Sequence, residues 1–245
     1  MAHVRLNRPD HLNAITDAMD DVLAEAWQRI NDDPDIWCAI LSAEGERAFS
    51  IGADVSDRVD RAQPIAFGGG LTGIGGPLVT LKKPLIAAVQ GFCVGGGFEM
   101  AMCADIIVAA DTAEFGLPET KVGIIGACGV VHRVVRQLPH HKAMAMILTG
   151  ERMKASDAER FGLVNAVVPF ADLAAAAMQV AAKVTAASPL ANQAAKAAAL
   201  SRLDYPLEVA LGTEFDAIER YASSADKREG EMAMKEKRKP IWTGR

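Results

Sequence analysis

Two glutamates, Glu99 and Glu119, each stand just past a turn of small residues, where backbone N–H groups and a carboxyl group can address one ligand. A carboxyl pair beside an anion-stabilising turn is equipped to move protons next to a developing oxyanion. Glu99 closes Gly95-Gly96-Gly97-Phe98-Glu99, which follows the apolar run Pro84 to Gln90. That run reads as a buried strand, so the predicted order is strand, glycine turn, helix. Glycines without Cβ let a ligand oxygen approach the main chain, and the first N–H groups of a helix have no intrahelical acceptor. An anionic oxygen is stabilised at such a place. A second turn, Ala48-Phe49-Ser50-Ile51-Gly52-Ala53-Asp54, follows the predicted strand Trp37 to Leu41 and can carry another N–H to the same point.

Other chemistries lack their residues. The glycine run misses the third glycine of the dinucleotide fingerprint, and no P-loop lysine motif occurs. The five histidines, His3, His11, His132, His140 and His141, form no zinc-like spacing, and no G-x-S-x-G elbow is present, so neither a metal nor a nucleophilic serine is predicted. Cys38, Cys93, Cys103 and Cys128 show no CxxC pairing and read as small packing residues in a reducing, cytoplasmic setting. A net charge of −5 argues against general nucleic-acid affinity while leaving room for a local cationic pocket. No stretch approaches the ~18 apolar residues of a membrane helix, and no basic and apolar leader opens the chain, so a protein that is neither exported nor membrane-bound is expected.

With 245 residues, 50% of them hydrophobic, the chain can bury a large core. Thr16 to Asn31 is predicted as an amphipathic helix with Met19, Val22, Leu23, Ala26 and Ile30 on its apolar face, ended by Asp32-Asp33-Pro34. Strands alternate with turns and short helices to about Gly123, which predicts an α/β unit of buried strands joined by crossovers. From Gly129 the pattern is mainly helical, with helices over Lys142 to Thr149, Asp172 to Ala186, Pro189 to Leu200 and Tyr205 to Ala222, and a strand over Leu163 to Pro169. Residues 65–79, rich in glycine, read either as a wall of an acyl pocket or as a loosely packed surface loop.

Four motifs carry a family resemblance: Ala48 to Asp54, Lys83-Pro84-Leu85-Ile86-Ala87-Ala88-Val89-Gln90-Gly91, Gly95 to Glu99, and Phe115-Gly116-Leu117-Pro118-Glu119. In order and spacing they resemble the crotonase superfamily, most closely its enoyl-CoA hydratases. The resemblance implies an α/β fold, a crotonase-like spiral of β-β-α units with a C-terminal helical trimerisation region. It implies a core domain over 1–190 and an oligomerisation region over 191–245, associating as a homotrimer or a hexamer. The implied substrate is an acyl-CoA, with no separate cofactor, and the implied reaction is reversible addition of water across a trans-2-enoyl-CoA. The Ala53 and Gly96 N–H groups would form the oxyanion hole, Glu99 would be the water-side base, and Glu119 would deliver a proton to C2. Which carboxyl holds the proton stays open at this stage. Arg47, Ala53, Asp54, Lys237 and Trp242 are the implied coenzyme A contacts.

The chain departs from the family pattern twice. Its first motif, Leu6-Asn7-Arg8-Pro9, lies close to residue 1, where typical members carry a further strand and hairpin, so a shortened start or an altered sheet edge is expected. Gly123 to Arg133 replaces the usual proline- and glycine-rich turn, with Ala127 where a glycine N–H helps to position water. Three other functions remain in play: a double-bond isomerase or specialised dehydratase, a non-catalytic acyl-CoA binder, and an RNA-binding homologue. The last is disfavoured because the first helix sets Asp17, Asp20, Asp21 and Glu25 against only Arg29.

Overall fold

The apolar runs of the first half become strands whose alternate residues enter two different layers. A computed structural model describes residues 1–56, 74, 79–126 and 128–245. Along the chain come β1 (Ala2–Leu6), α1 (Asp17–Asp32), β2 (Ala39–Ala43), β3 (Ala48–Ser50), β4 (Leu85–Val89), β5 (Phe92–Val94), α2 (Gly96–Ala101), β6 (Ile106–Ala110) and β7 (Glu114–Gly116). They continue as α3 (Val130–Gln137), α4 (His140–Thr149), β8 (Arg152–Lys154), α5 (Ala155–Arg160), β9 (Ala166–Val168), α6 (Leu173–Thr185), α7 (Pro189–Ser201), α8 (Leu207–Leu211), α9 (Asp216–Ala222) and α10 (Ala225–Glu236).

One sheet has the order β1-β2-β4-β6-β9 and is parallel throughout; the other has the order β3-β5-β7-β8, with β8 antiparallel to β7. Successive pairs β2/β3, β4/β5 and β6/β7 each give one strand to each sheet, so the chain climbs as a spiral of repeated units. The fold is the α/β spiral that the motifs implied. β1 stands at the edge of the larger sheet.

Strand periodicity accounts for the core. Ala39, Leu41, Leu85, Ala87, Val89, Ile107 and Ala109 face the main cluster, while Cys38, Ile40, Ile86, Ala88, Val108 and Ala110 face α6. Both faces are covered, which explains why β4 is buried along its whole length. On α6, Leu173, Ala177 and Ala181 recur every fourth residue against that sheet, and the alanines permit close approach.

Three local expectations need correction. On α1 the buried stripe is Leu23, Trp27 and Ile30, and Val22 is exposed. The bulk of Trp27, one turn after Leu23, centres the helix there rather than on Val22. The single helix expected over Tyr205 to Ala222 is two, α8 and α9, parted at Gly212-Thr213. Glycine weakens a helix, and the Thr213 hydroxyl donates back to Val209 O, ending α8. The strand expected over Leu163 to Pro169 is limited to Ala166–Val168. At the C-terminus, Asp226 is buried and accepts hydrogen bonds from the Thr243 and Gly244 N–H groups and the Ser188 hydroxyl, holding the tail against the start of α7.

Candidate active site

The turn after β3 is held from below by buried polar side chains. Asn13, fully buried, donates to Glu44 O and Ala48 O and accepts from the Arg8 N–H. Ser50 Oγ donates to Asn13 O and accepts from the Gly52 N–H. Beyond it, Ile15 pairs with the turn on both sides of Ala53: Ile15 N–H donates to Gly52 O at 2.8 Å, and Asp54 N–H donates to Ile15 O at 2.9 Å. In such a parallel pairing the intervening residue turns its own N–H to the opposite side. The Ala53 N–H has no acceptor among the described residues. Arg8 closes the turn with a 2.5 Å ion pair to Asp54. The Ser56 hydroxyl, Arg8 and the Ser56 amide hold the Asp54 carboxyl down at about 2.

The N-terminus of α2 is pressed against this turn so closely that only glycine fits. A Cβ on Gly52, whose φ is +91°, would lie 2.6 Å from Gly96 N, and a Cβ on Gly97 would lie 2.3 Å from Ser50 O. Both approaches are shorter than any real Cβ contact, and Gly52 also needs the left-handed region. The Gly96 N–H, first in the helix, has no acceptor among the described residues. The two amides that the sequence singled out are therefore carried on adjoining turns. Phe98 and Phe115, both buried with ring centroids 5.5 Å apart, lock α2 to β7 and so relate the segments that bear the two glutamates.

Glu99 lies in α2 and is 3% exposed; Glu119 lies in a 3₁₀ turn, Pro118–Val122, and is 9% exposed. That turn is pinned to the last turn of α4 by the Thr120 hydroxyl on Ile147 O and the Lys121 ammonium on Gly150 O. Between the carboxyl groups stands Gly126, whose Cβ position would be 3.5 Å from Oε1 of each glutamate. The two oxygens are thus no more than twice that distance apart. Their surroundings differ. Glu99 Oε1 accepts from the Cys128 N–H at 2.9 Å, and the Val130 amide and the Cys128 thiol also serve that carboxylate. These groups form the start of α3, capped by Gly129 at φ +100°, where helix-end amides favour a negative charge. Glu119 Oε2, in contrast, is buried without a hydrogen-bond partner among the described residues. Beside it is a cavity of about 30 Å³ lined by Leu117, Thr120, Ile125, Gly126, Val131 and Ile147. Burial raises both carboxyls above the ordinary range. At Glu99 the rise is opposed by the Cys128 and Val130 donors and by Arg133; at Glu119 the negative charge of Glu99 adds to it.

The chain matches the enoyl-CoA hydratase/isomerase family over residues 1–245. The chain belongs to that family. It is 38% identical over 242 residues to a probable enoyl-CoA hydratase of Mycobacterium tuberculosis, covering 99% of this chain and 94% of the relative. It is 39% identical over 248 residues to the carnitinyl-CoA dehydratase of Escherichia coli, again covering 99% and 94%. Among solved structures, a protein of Novosphingobium aromaticivorans described as a candidate short chain enoyl-CoA hydratase superposes with a TM-score of 0.92 at 69% identity, covering 99% of this chain and 95% of the other. The enoyl-CoA hydratase of Mycobacterium tuberculosis H37Rv gives 0.89 at 33% identity, with the same coverage.

The remaining residues singled out for this family member sit as follows. Arg47 is exposed just before β3. Asp54 spends its carboxylate on Arg8 and Ser56. Lys237 is exposed at the left-handed cap of α10, and Trp242 donates its indole N–H to Ala186 O at 2.8 Å with its ring against Gly230. Trp242 is thus a fastening of the tail within this chain. Ala127, and residues 65–79 apart from Ile74 and Val79, lie outside the described residues. Sequence reading did not find the Cys128 and Val130 donors or the Asn13 and Ser50 support. The helix start at Gly129-Val130 was a usable signal for the first; nothing local marked the second, because the bonds from Asn13 to Glu44 and Ala48 and from Ser50 to Asn13 span 31 to 37 positions.

Proposed function

We propose that this protein is an enoyl-CoA hydratase that adds water reversibly across the double bond of a trans-2-enoyl-CoA to give a 3-hydroxyacyl-CoA. The observation that carries the reading is the pair of buried carboxyl groups, Glu99 and Glu119, facing Gly126 with unequal surroundings. Glu99, served by amides, is the group suited to be ionised and to take a proton from water as it attacks C3. Glu119, with an oxygen lacking a partner among the described residues and a charged neighbour, is the one suited to hold a proton and deliver it to C2. The thioester oxygen, which gains charge as the enolate develops, is held by the Ala53 and Gly96 N–H groups. Each such donor is worth ~2.7–4 kcal/mol in the transition state. The thioester is its own electron sink, so the reaction calls for no separate cofactor.

Coenzyme A is bound by Arg47 and by the peptide at Ala53-Asp54, with Lys237 and Trp242 as contacts from the C-terminal part. Residues 191–245 support assembly into a trimer or a pair of trimers. Leu203, Tyr205, Leu207 and Leu211 are exposed there, an apolar surface of the kind that protein association covers. A relative named as a dehydratase is compatible with the same site run in the direction of water loss. A double-bond isomerase needs one carboxylate, and the second favours water chemistry. The deciding experiment supplies crotonyl-CoA and its 3-enoyl isomer separately in ¹⁸O-water. One ¹⁸O incorporated from crotonyl-CoA is expected; interconversion of the two enoyl thioesters without label would replace hydratase by isomerase.

A further inference from the structure

Among the groups around Glu99, one is a side chain that the hydration chemistry has not used. Cys128 is half-buried, follows Ala127 in the chain, and approaches the Glu99 carboxylate with both its backbone N–H, at 2.9 Å, and its thiol. Other titratable and charged groups face Glu99 from each packed element. Glu119 comes from the 3₁₀ turn, Arg133 from α3, and Cys103 from the end of α2, its thiol directed to the Glu99 and Ile74 carbonyls. Cys128 brings a side-chain donor onto the carboxylate itself, and Arg133 acts on it through its charge. A cysteine S–H is a donor and a carboxylate oxygen an acceptor, which is the pairing seen here. Burial makes the carboxylate more basic, and a donor to the ionised form opposes that rise, keeps it charged at working pH and restrains its orientation.

We propose that Cys128 is a positioning residue for the hydration reaction, its thiol holding the Glu99 carboxylate ionised and aimed at the attacking water. The inference rests on the reading of Glu99 as the water-side base. It goes beyond it by placing on a residue in the altered turn a control over the pH at which that base works.

The test compares wild type, Cys128→Ala, Cys128→Ser and Glu99→Gln in crotonyl-CoA hydration across pH. Cys128→Ala leaves the backbone N–H in place and removes only a half-buried sulfur. Its acid limb in kcat/KM should move up by about half a unit to one unit, the size that one lost hydrogen bond allows. Well below that limb this is a ~3- to 10-fold loss of rate, with KM at high pH unchanged. Cys128→Ser, which keeps a donor, should return the limb towards wild type. An unmoved limb in Cys128→Ala, or an equal shift in both variants, would overturn the proposal. Glu99→Gln separates the two failures: if it is as active as wild type, the hydratase reading falls; if it is inactive while Cys128→Ala behaves as wild type, only the role of Cys128 falls.

Discussion

Glu99 and Glu119 are alike in type and burial and unlike in hydrogen bonding, and on that difference rests the proposed division of the chemistry. Hydration should rise as Glu99 ionises on the acid side and fall as Glu119 loses its proton on the alkaline side, with apparent pKa values that belong to the pair. Both carboxyls are raised by burial, so the folded protein binds these protons more tightly than the unfolded chain. Their contribution to stability is full below the ordinary glutamate value, about 4.3, and is lost as pH rises through the raised values. Glu119→Gln should therefore melt above wild type at neutral pH, with a margin that narrows as pH falls towards 4; a margin independent of pH in thermal melts would contradict the burial argument. Gly126 is the other residue-scale test. A methyl there would stand 3.5 Å from both carboxyl oxygens and 2.7 Å from Val130 Cγ1, between the two groups to which the proposed reaction assigns the proton transfers. Gly126→Ala should lower kcat by an order of magnitude or more while the protein stays folded, and steady-state kinetics read it directly. The glutamates were legible in the sequence because each follows a turn motif. Their unequal surroundings were not, since the nearest donor to Glu99 in the chain, the Cys128 N–H, comes from 29 residues further along.

At the scale of elements, the site depends on two turns held in register by groups that touch no substrate. Asn13, in the left-handed region at φ +53°, ties Arg8, Glu44 and Ala48 together beneath the turn that ends at Asp54. Asn13→Ala strands buried carbonyls and one amide, each costing ~1–3 kcal/mol when left without a partner. A loss of about 2–4 kcal/mol in denaturant unfolding is expected, and a loss below about 1 kcal/mol would show that water replaces the side chain. Strand–turn–helix order around Gly96 was legible from apolar runs and glycines, as was the spiral. The break between α8 and α9 and the true face of α1 were not, because side-chain volume at Trp27 and a local bond at Thr213 outweighed the period of the pattern.

At the scale of the whole molecule, two sheets carry the site, the larger covered on both faces, and the exposed apolar residues of α7 to α9 are the surface on which the proposed assembly rests. Light scattering should give three or six times 26.0 kDa, and Leu207→Glu with Leu211→Glu should lower that mass; a monomer at micromolar concentration would contradict the proposed assembly. The proposed activity requires glutamate-dependent addition of water. The most direct measurement is the loss of conjugated enoyl-thioester absorbance from crotonyl-CoA, with product mass, for wild type, Glu99→Gln and Glu119→Gln. Wild type should gain one water per substrate, and each variant should be slower by ~10²–10⁴-fold. Wild-type rates in both variants, or turnover without gain of water, would contradict it.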